Sequence, residues 1–220
     1  EALLSHPLVH RVMMAFNYRF HPALVSIKRQ QEKWDIPDSR WVCSSDQHRI
    51  DIPEWGLLLD HVSHSVDILL WLSGMEILEV SRATHSLNEN METWFIDGSI
   101  GSKQFNIWES VRKAQVNKQA WVSGPFGNVK VATSQPIAEQ MMDAMYKVFL
   151  AHLSGSENFP VWLEAGVRVQ RALEEAARVA SPLIEVDVDW TALINQQRSN
   201  NSQRTMLPVP VPKMPSGVAP

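Results

Sequence analysis

Cysteine is almost absent. Cys43 is the single one in 220 residues, so no disulfide can form within the chain, and a reducing compartment, the cytoplasm, is expected. Clustered positive charge is missing as well: 20 Lys and Arg stand against 24 Asp and Glu, and no basic run exceeds pairs such as Lys28–Arg29. A protein that neutralises nucleic-acid phosphates needs such clusters, so nucleic acid is excluded as a partner. No stretch approaches the ~18 apolar residues of a membrane span, and no membrane partner is expected. None of the nine glycines falls in a Gly-x-Gly-x-x-Gly or Walker-type run, so the chain has no loop of the kind that cradles a pyrophosphate. Ser123-Gly124-Pro125 lacks the preceding glycine of a nucleophile elbow. No leader of basic, apolar and small residues opens the chain. Glu1 to Ser5 read as the end of a helix, so the sequence is expected to continue a preceding segment.

What is present suits a globular core: 45% hydrophobic residues, 20% charged and nine tryptophans, most of the last expected in packing. Val9 to Phe16 reads as a short buried strand, followed by the polar cluster Asn17-Tyr18-Arg19-Phe20-His21. Pro22 opens a helix running to about Trp34, and Pro37 and Pro53 bracket a loop holding Trp41, Cys43 and His48. Leu57 to Ser73 is the strongest helix, closed by Gly74. Strands are expected at Ile77–Thr84, Thr93–Ile96, Gln104–Val116, Ala120–Val122 and Asn128–Ala132, with turns at Asp97-Gly98 and Gly124–Gly127. Helices Pro136–Leu153 and Pro160–Ala180 and a strand Leu183–Val188 complete the body. This order implies an α+β fold: a mostly antiparallel open sheet with helices packed on one face. From Asn195 the chain turns polar and then proline-rich, a composition that stays ordered only when held against another surface.

Two places carry candidate chemistry. On the Leu57–Ser73 helix, Asp60, His64, Asp67 and Trp71 are spaced by four, three and four positions. At 100° per residue they form a stripe roughly 60° wide, opposite the apolar residues Leu58, Val62, Val66, Leu69 and Leu70. A carboxylate one turn before a histidine suits a general acid or base near neutral pH, whereas a solvated polar face has the same spacing. His61 and His64, three apart, are close enough to share a metal with Asp60, but Ser65 stands where the four-residue zinc spacing would need the second histidine, so no metal site is expected. The second place is Asn17-Tyr18-Arg19 at the end of the first strand, where α/β folds seat ligands and where an ordinary structural ion pair fits equally well.

Several segments resemble one family. Trp55-Gly56-Leu57-Leu58-Leu59-Asp60-His61-Val62-Ser63-His64-Ser65-Val66-Asp67, running on to Leu72-Ser73-Gly74, is similar to the signature helix of the Gfo/Idh/MocA oxidoreductases. Phe16 to Pro22 resembles that family's junction between two domains, Trp121 to Gly127 its turn before a late strand, and Phe159–Gly166 with Glu174–Ser181 its closing helix. Together they cover most of residues 1 to about 189, in the family's order. The departures are Glu54 and Trp55 for two glycines, Val62 for the glycine between Asp and His, and a stretch from Thr84 to Val122 that is short for the family's full sheet.

The resemblance implies hydride transfer between NAD or NADP and a CH–OH group of a sugar, polyol or related metabolite. The family's dinucleotide-binding half, including its cofactor loop, has no counterpart in these residues. It implies His64 and Asp60 as catalytic residues, His64 acting on the reacting oxygen, with Asn17, Arg19, Trp55 and Asp67 binding a small-molecule substrate. Residues 1–19 would be a remnant of the dinucleotide domain, 20–190 the substrate-binding and oligomerisation domain and 191–220 a tail, in a homo-oligomer. Competing readings are a non-catalytic stand-alone module and a cofactor-independent lyase, isomerase or hydratase. Restoring the family's glycine by Val62→Gly is expected to cost about 1 kcal/mol of helix stability and spare the chemistry.

Overall fold

A computed structural model describes residues 12–50, 56–115, 117–131, 135–155 and 163–182. All of them belong to the unit Glu1–Leu183; a second unit, Ile184–Pro220, lies wholly outside the described residues. A 3₁₀ turn, Asn17–Phe20, leads into α1 (Pro22–Arg29) and α2 (Gln31–Trp34), then β1 (Arg40–Arg49). A π-helical segment, Leu58–Val62, continues into α3 (Ser63–Ser73). Strands β2 (Glu79–Asn88), β3 (Met91–Ile100), β4 (Lys103–Lys113), β5 (Asn117–Gly124) and β6 (Gly127–Lys130) follow, then α4 (Gln135–Leu153), α5 (Leu163–Val179) and β7 (Ala180–Pro182).

The strands form one seven-stranded sheet in the order β6-β5-β1-β4-β3-β2-β7. The β1–β4 and β2–β7 pairs are parallel and the rest antiparallel, so the sheet is mixed but mostly antiparallel, as the α+β reading expects. On the side that carries the helices, Trp41, Cys43, Ile96, Phe105, Ile107 and Val122 are buried. There α3 and α5 pack together, and α5 also lies on β2. Among the described residues, no helix is long and apolar enough to cross a membrane.

Four expectations change. Val12–Phe16 form no strand; Phe16 packs into the core and Met14 fills the space where a Cβ on Gly166 would sit, 2.7 Å from its Sδ. The Pro37–Pro53 segment is not a loop but holds β1, which runs in register beside β4 from Arg40↔Gln104 to Arg49↔Lys113. This strand widens the sheet that Thr84–Val122 alone leaves short. Asp97-Gly98 is not a turn: both lie inside β3, and the turn falls at Gly101-Ser102. A Cβ on Gly98 would meet the Glu79 carbonyl oxygen at 1.9 Å and the Phe105 ring at 2.5 Å, so glycine is there for close approach at the irregular β2–β3 pairing around Val80 and Arg82. The helix at Leu57–Ser73 is not uniformly α-helical. The Ser63 N–H reaches the Leu58 carbonyl, five residues back, and the Ser63 hydroxyl donates to the Leu59 carbonyl. Val9–Arg11, the Leu183–Val188 strand and the tail from Asn195 lie outside the described residues.

The helix that carries the stripe is fixed at both ends by other elements. At its start the Glu92 carboxylate, from β3, accepts the Leu57 N–H at 2.8 Å, which satisfies an orphan donor and sets negative charge at the positive end of the helix. At its end Lys28 donates to the Trp71 carbonyl at 2.6 Å and Gln31 to the Ser73 carbonyl at 2.9 Å. Gly74, at φ 72°, closes it in the left-handed conformation the sequence predicts.

Candidate functional site

His64 leaves α3 toward the segment that precedes α1. Its ring lies edge-on to Tyr18 at 5.3 Å, to Phe16 at 6.1 Å and to His61 at 5.8 Å. Its Nδ1 is buried without a hydrogen-bond partner among the described residues. Burial, with Lys118 charge added, lowers its pKa to about 4 against the opposing pull of Asp60. At pH 7 it is a neutral imidazole, able to take a proton.

Three residues later Asp67, 1% exposed, is gripped by Arg19 through Nε at 2.9 Å and Nη2 at 2.5 Å. Burial raises the Asp67 carboxyl pKa and the guanidinium offsets part of that rise. The two-pronged pair fixes the Asn17–Phe20 turn against α3. Two residues before Arg19, Asn17 donates Nδ2 to the Met142 sulfur of α4 at 3.6 Å, while its Oδ1 is buried without a partner among the described residues.

Asp60 points elsewhere. The π segment winds an extra residue into its turn, so the regular 100° spacing between Asp60 and His64 fails, and the carboxylate pairs with Arg49 of β1. It acts on His64 through charge, raising its pKa. The stripe is thus neither a solvated face nor a single row: Asp67 is buried, His64 is enclosed by aromatics, and Asp60 faces the sheet's first strand.

Behind the two histidines lies a polar cluster that the sequence does not single out. Glu109 of β4, 1% exposed, accepts hydrogen bonds from the hydroxyls of Ser45 and Ser65. Burial raises its carboxyl pKa, and the two serines and Lys118 oppose it. His61 lies between, with Nδ1 3.7 Å from Glu109 Oε2 and Nε2 3.1 Å from the Lys118 ammonium. Burial first and Lys118 second push its pKa far down. With its Nε2 facing an ammonium, His61 is not placed to share a metal with His64. A signal for Glu109 does exist: it breaks the inward alternation Phe105-Ile107-Glu109-Val111. Lys118 carries no such mark, because it begins a strand whose inward neighbours are Ala120 and Val122.

No family profile and no curated protein matches the chain. Solved structures do. GenD2 from gentamicin A biosynthesis, in complex with NAD, superposes with a TM-score of 0.58 at 14% identity, over 74% of this chain and 60% of that one. WlbA dehydrogenase from Thermus thermophilus, in complex with NAD and α-ketoglutarate, gives 0.52 at 14%, over 79% and 58%. The UDP-N-acetylglucosamine 3-dehydrogenase GnnA from Acidithiobacillus ferrooxidans gives 0.53 at 16%, over 76% and 60%. Over the matched part the chain has the fold of these dehydrogenases, the fold that the resemblance to the Gfo/Idh/MocA oxidoreductases implies. At these identities the likeness is one of architecture, and the chain spans about three fifths of the length of these dehydrogenases.

Within that fold, the structure brings Arg19 and Asp67 into contact and sets His64 beside Phe16 and Tyr18, the flanks of Asn17. Asp60 does not hydrogen-bond His64 among the described residues. Trp55 lies outside the described residues. A separate surface concavity, lined by Asn88–Met91 and Arg112–Ala114, includes none of the stripe residues.

Proposed function

We propose that the chain is the substrate-binding part of an NAD(P)-dependent oxidoreductase acting on a CH–OH group of a sugar, polyol or related metabolite. The observation that supports it best is His64: a neutral imidazole with a nitrogen unpartnered among the described residues, set among Phe16, Tyr18 and His61 on the helix whose pattern carries the family resemblance. The structural neighbours agree, since GenD2 and WlbA are complexes with NAD and GnnA is a UDP-N-acetylglucosamine 3-dehydrogenase.

The described residues do not fit the dinucleotide itself. No glycine-rich turn meets a helix start, and the helix start at Gly56-Leu57 is already filled by the Glu92 carboxylate, which repels a phosphate. In this reading the nicotinamide, whose chemistry is hydride exchange at carbon, is held by residues other than these. What this chain supplies is the oxygen end of the reaction. In the oxidation direction His64, a neutral imidazole, takes the hydroxyl proton, and the Asp60 charge opposes the loss of basicity that burial and Lys118 cause. Asn17 Oδ1 is free to accept from a neighbouring substrate hydroxyl, and the Arg19–Asp67 pair keeps Asn17 in place. Asp60 raises the basicity of His64 by its charge while Arg49 holds the carboxylate still.

The open face of the sheet supports the expected homo-oligomer. Trp121, Ser44, Trp108, Phe95 and Thr84 lie in one cross-strand row on the side away from the helices. An aromatic band of this kind suits a second copy of the chain. The buried thiol of Cys43, its pKa raised by burial, fits a reducing cytoplasm.

The test is turnover of a panel of sugars and polyols with NAD+ or NADP+ by the cofactor-competent protein. His64→Ala is expected to lower kcat at least about a hundredfold, roughly 3 kcal/mol of barrier, with an unchanged circular dichroism spectrum. Near-normal turnover in that variant removes His64 from the chemistry.

A further inference from the structure

Lys118 extends from β5 on the helix-bearing side of the sheet, in register with Gln47. An ammonium has three N–H donors. Here its hydrogen bond goes to His61 Nε2, and the face of Tyr18 lies 5.3 Å from Nζ. Its neighbouring carboxylates are engaged elsewhere: Asp60 by Arg49, and Glu109 by two serine hydroxyls. No carboxylate among the described residues is in salt-bridge distance of Nζ. A half-buried amine beside a neutral imidazole and an aromatic face, without a counter-ion, is poorly placed to stay an inert cation. It sits where Tyr18 and His64 converge.

We propose that Lys118 is a carbonyl-reactive amine, whose Nζ adds to the carbonyl carbon of a small aldehyde or ketone lodged against Tyr18 and His64 and forms an imine. The titratable and charged groups around it are Asp60 and His61 on the π segment, His64 on α3, Glu109 on β4 and Arg49 on β1, and of these His61 and Glu109 supply a route for its proton. Lys118 gives one proton to His61 Nε2, and His61 Nδ1–H passes one to the Glu109 carboxylate 3.7 Å away. The amine lone pair then forms the N–C bond while the C=O π pair moves to oxygen, which takes a proton from the nitrogen. Glu109 then returns its proton through His61 to that hydroxyl, which leaves as water while the nitrogen lone pair forms the C=N bond of a protonated imine, and no oxidant or reductant is needed. Burial lowers the Lys118 pKa to about 8, with Arg49 adding to the fall and Glu109 and Asp60 opposing it, which enlarges the neutral-amine fraction in the same sense. This activity requires no dinucleotide, so it stands apart from the oxidoreductase reading.

The full chain is incubated at pH 7.5 with dihydroxyacetone or glyceraldehyde and sodium cyanoborohydride, then analysed by intact mass and peptide mapping. The expected result is one reduced adduct per chain, at Lys118, forming at least tenfold faster than at any other lysine and lost in Lys118→Arg. The wild-type map alone decides the matter if that variant does not fold. Adducts spread over exposed lysines such as Lys147, or an unmodified Lys118, overturn the proposal and leave Lys118 a hydrogen-bond donor only.

Discussion

His64 and His61 are kept neutral by burial, and a group with a depressed folded pKa binds fewer protons folded than unfolded. Their stabilising effect is fully present above the unfolded value near 6.5 and is lost as pH falls, through about 4 for His64. Each histidine contributes a slope of up to about 1.4 kcal/mol per pH unit across that window. Asp67 and Glu109, whose pKa values are raised, act in the opposite sense, so the histidine term is read by difference. Between pH 6.5 and 4.5, denaturant stability of His64→Phe is expected to fall less steeply than that of the wild type. Parallel curves contradict the assignment. The sequence makes His64, Asp67 and Arg19 visible because helical spacing and the polar cluster after an apolar run are local signals. Glu109 and Lys118 are brought to the histidines by cross-strand register, which no local spacing encodes.

The π segment shows where periodicity stops being a guide. A single extra residue in one turn sends Asp60 to Arg49, and nothing in Leu58–Val62 announces it; the one local hint is the Ser63 that follows, able to bond back to the chain. Strand β1 escaped a period-2 reading because its inward positions run Trp41, Cys43, Ser45, Gln47: the second half faces the Glu109 cluster rather than oil. Two substitutions test the elements. Val62 is fully buried, so Val62→Gly costs the loss of that burial as well as helix propensity, about 3 kcal/mol rather than the 1 kcal/mol that propensity alone implies. Gly98→Ala forces a Cβ against the Glu79 carbonyl, which is backbone and cannot swing aside. A loss of about 1–3 kcal/mol in urea unfolding is expected, and an unchanged midpoint contradicts the close approach.

Across the whole molecule, the layer order was legible because most strands and both long helices announce themselves by turns, prolines and alternation. The two parallel pairings were not, since β1 and β4 are joined only through a helix and a hairpin. The aromatic row on the open face predicts that Trp108→Glu shifts the protein to a smaller species in size-exclusion chromatography without changing its helix content. An unchanged elution volume places the subunit contact elsewhere. With no pyrophosphate cradle in its sequence, the 220-residue chain is expected to show no micromolar affinity for NAD or NADP by calorimetry. The central claim, that His64 and Asn17 receive a hydroxylated metabolite, is tested most directly by imidazole and side-chain amide NMR during titration with sugars and polyols. The account predicts that at least one of them moves the His64 and Asn17 signals together and leaves remote ones unmoved. Shifts confined to the Asn88–Met91 and Arg112–Ala114 concavity, with His64 silent throughout, contradict it.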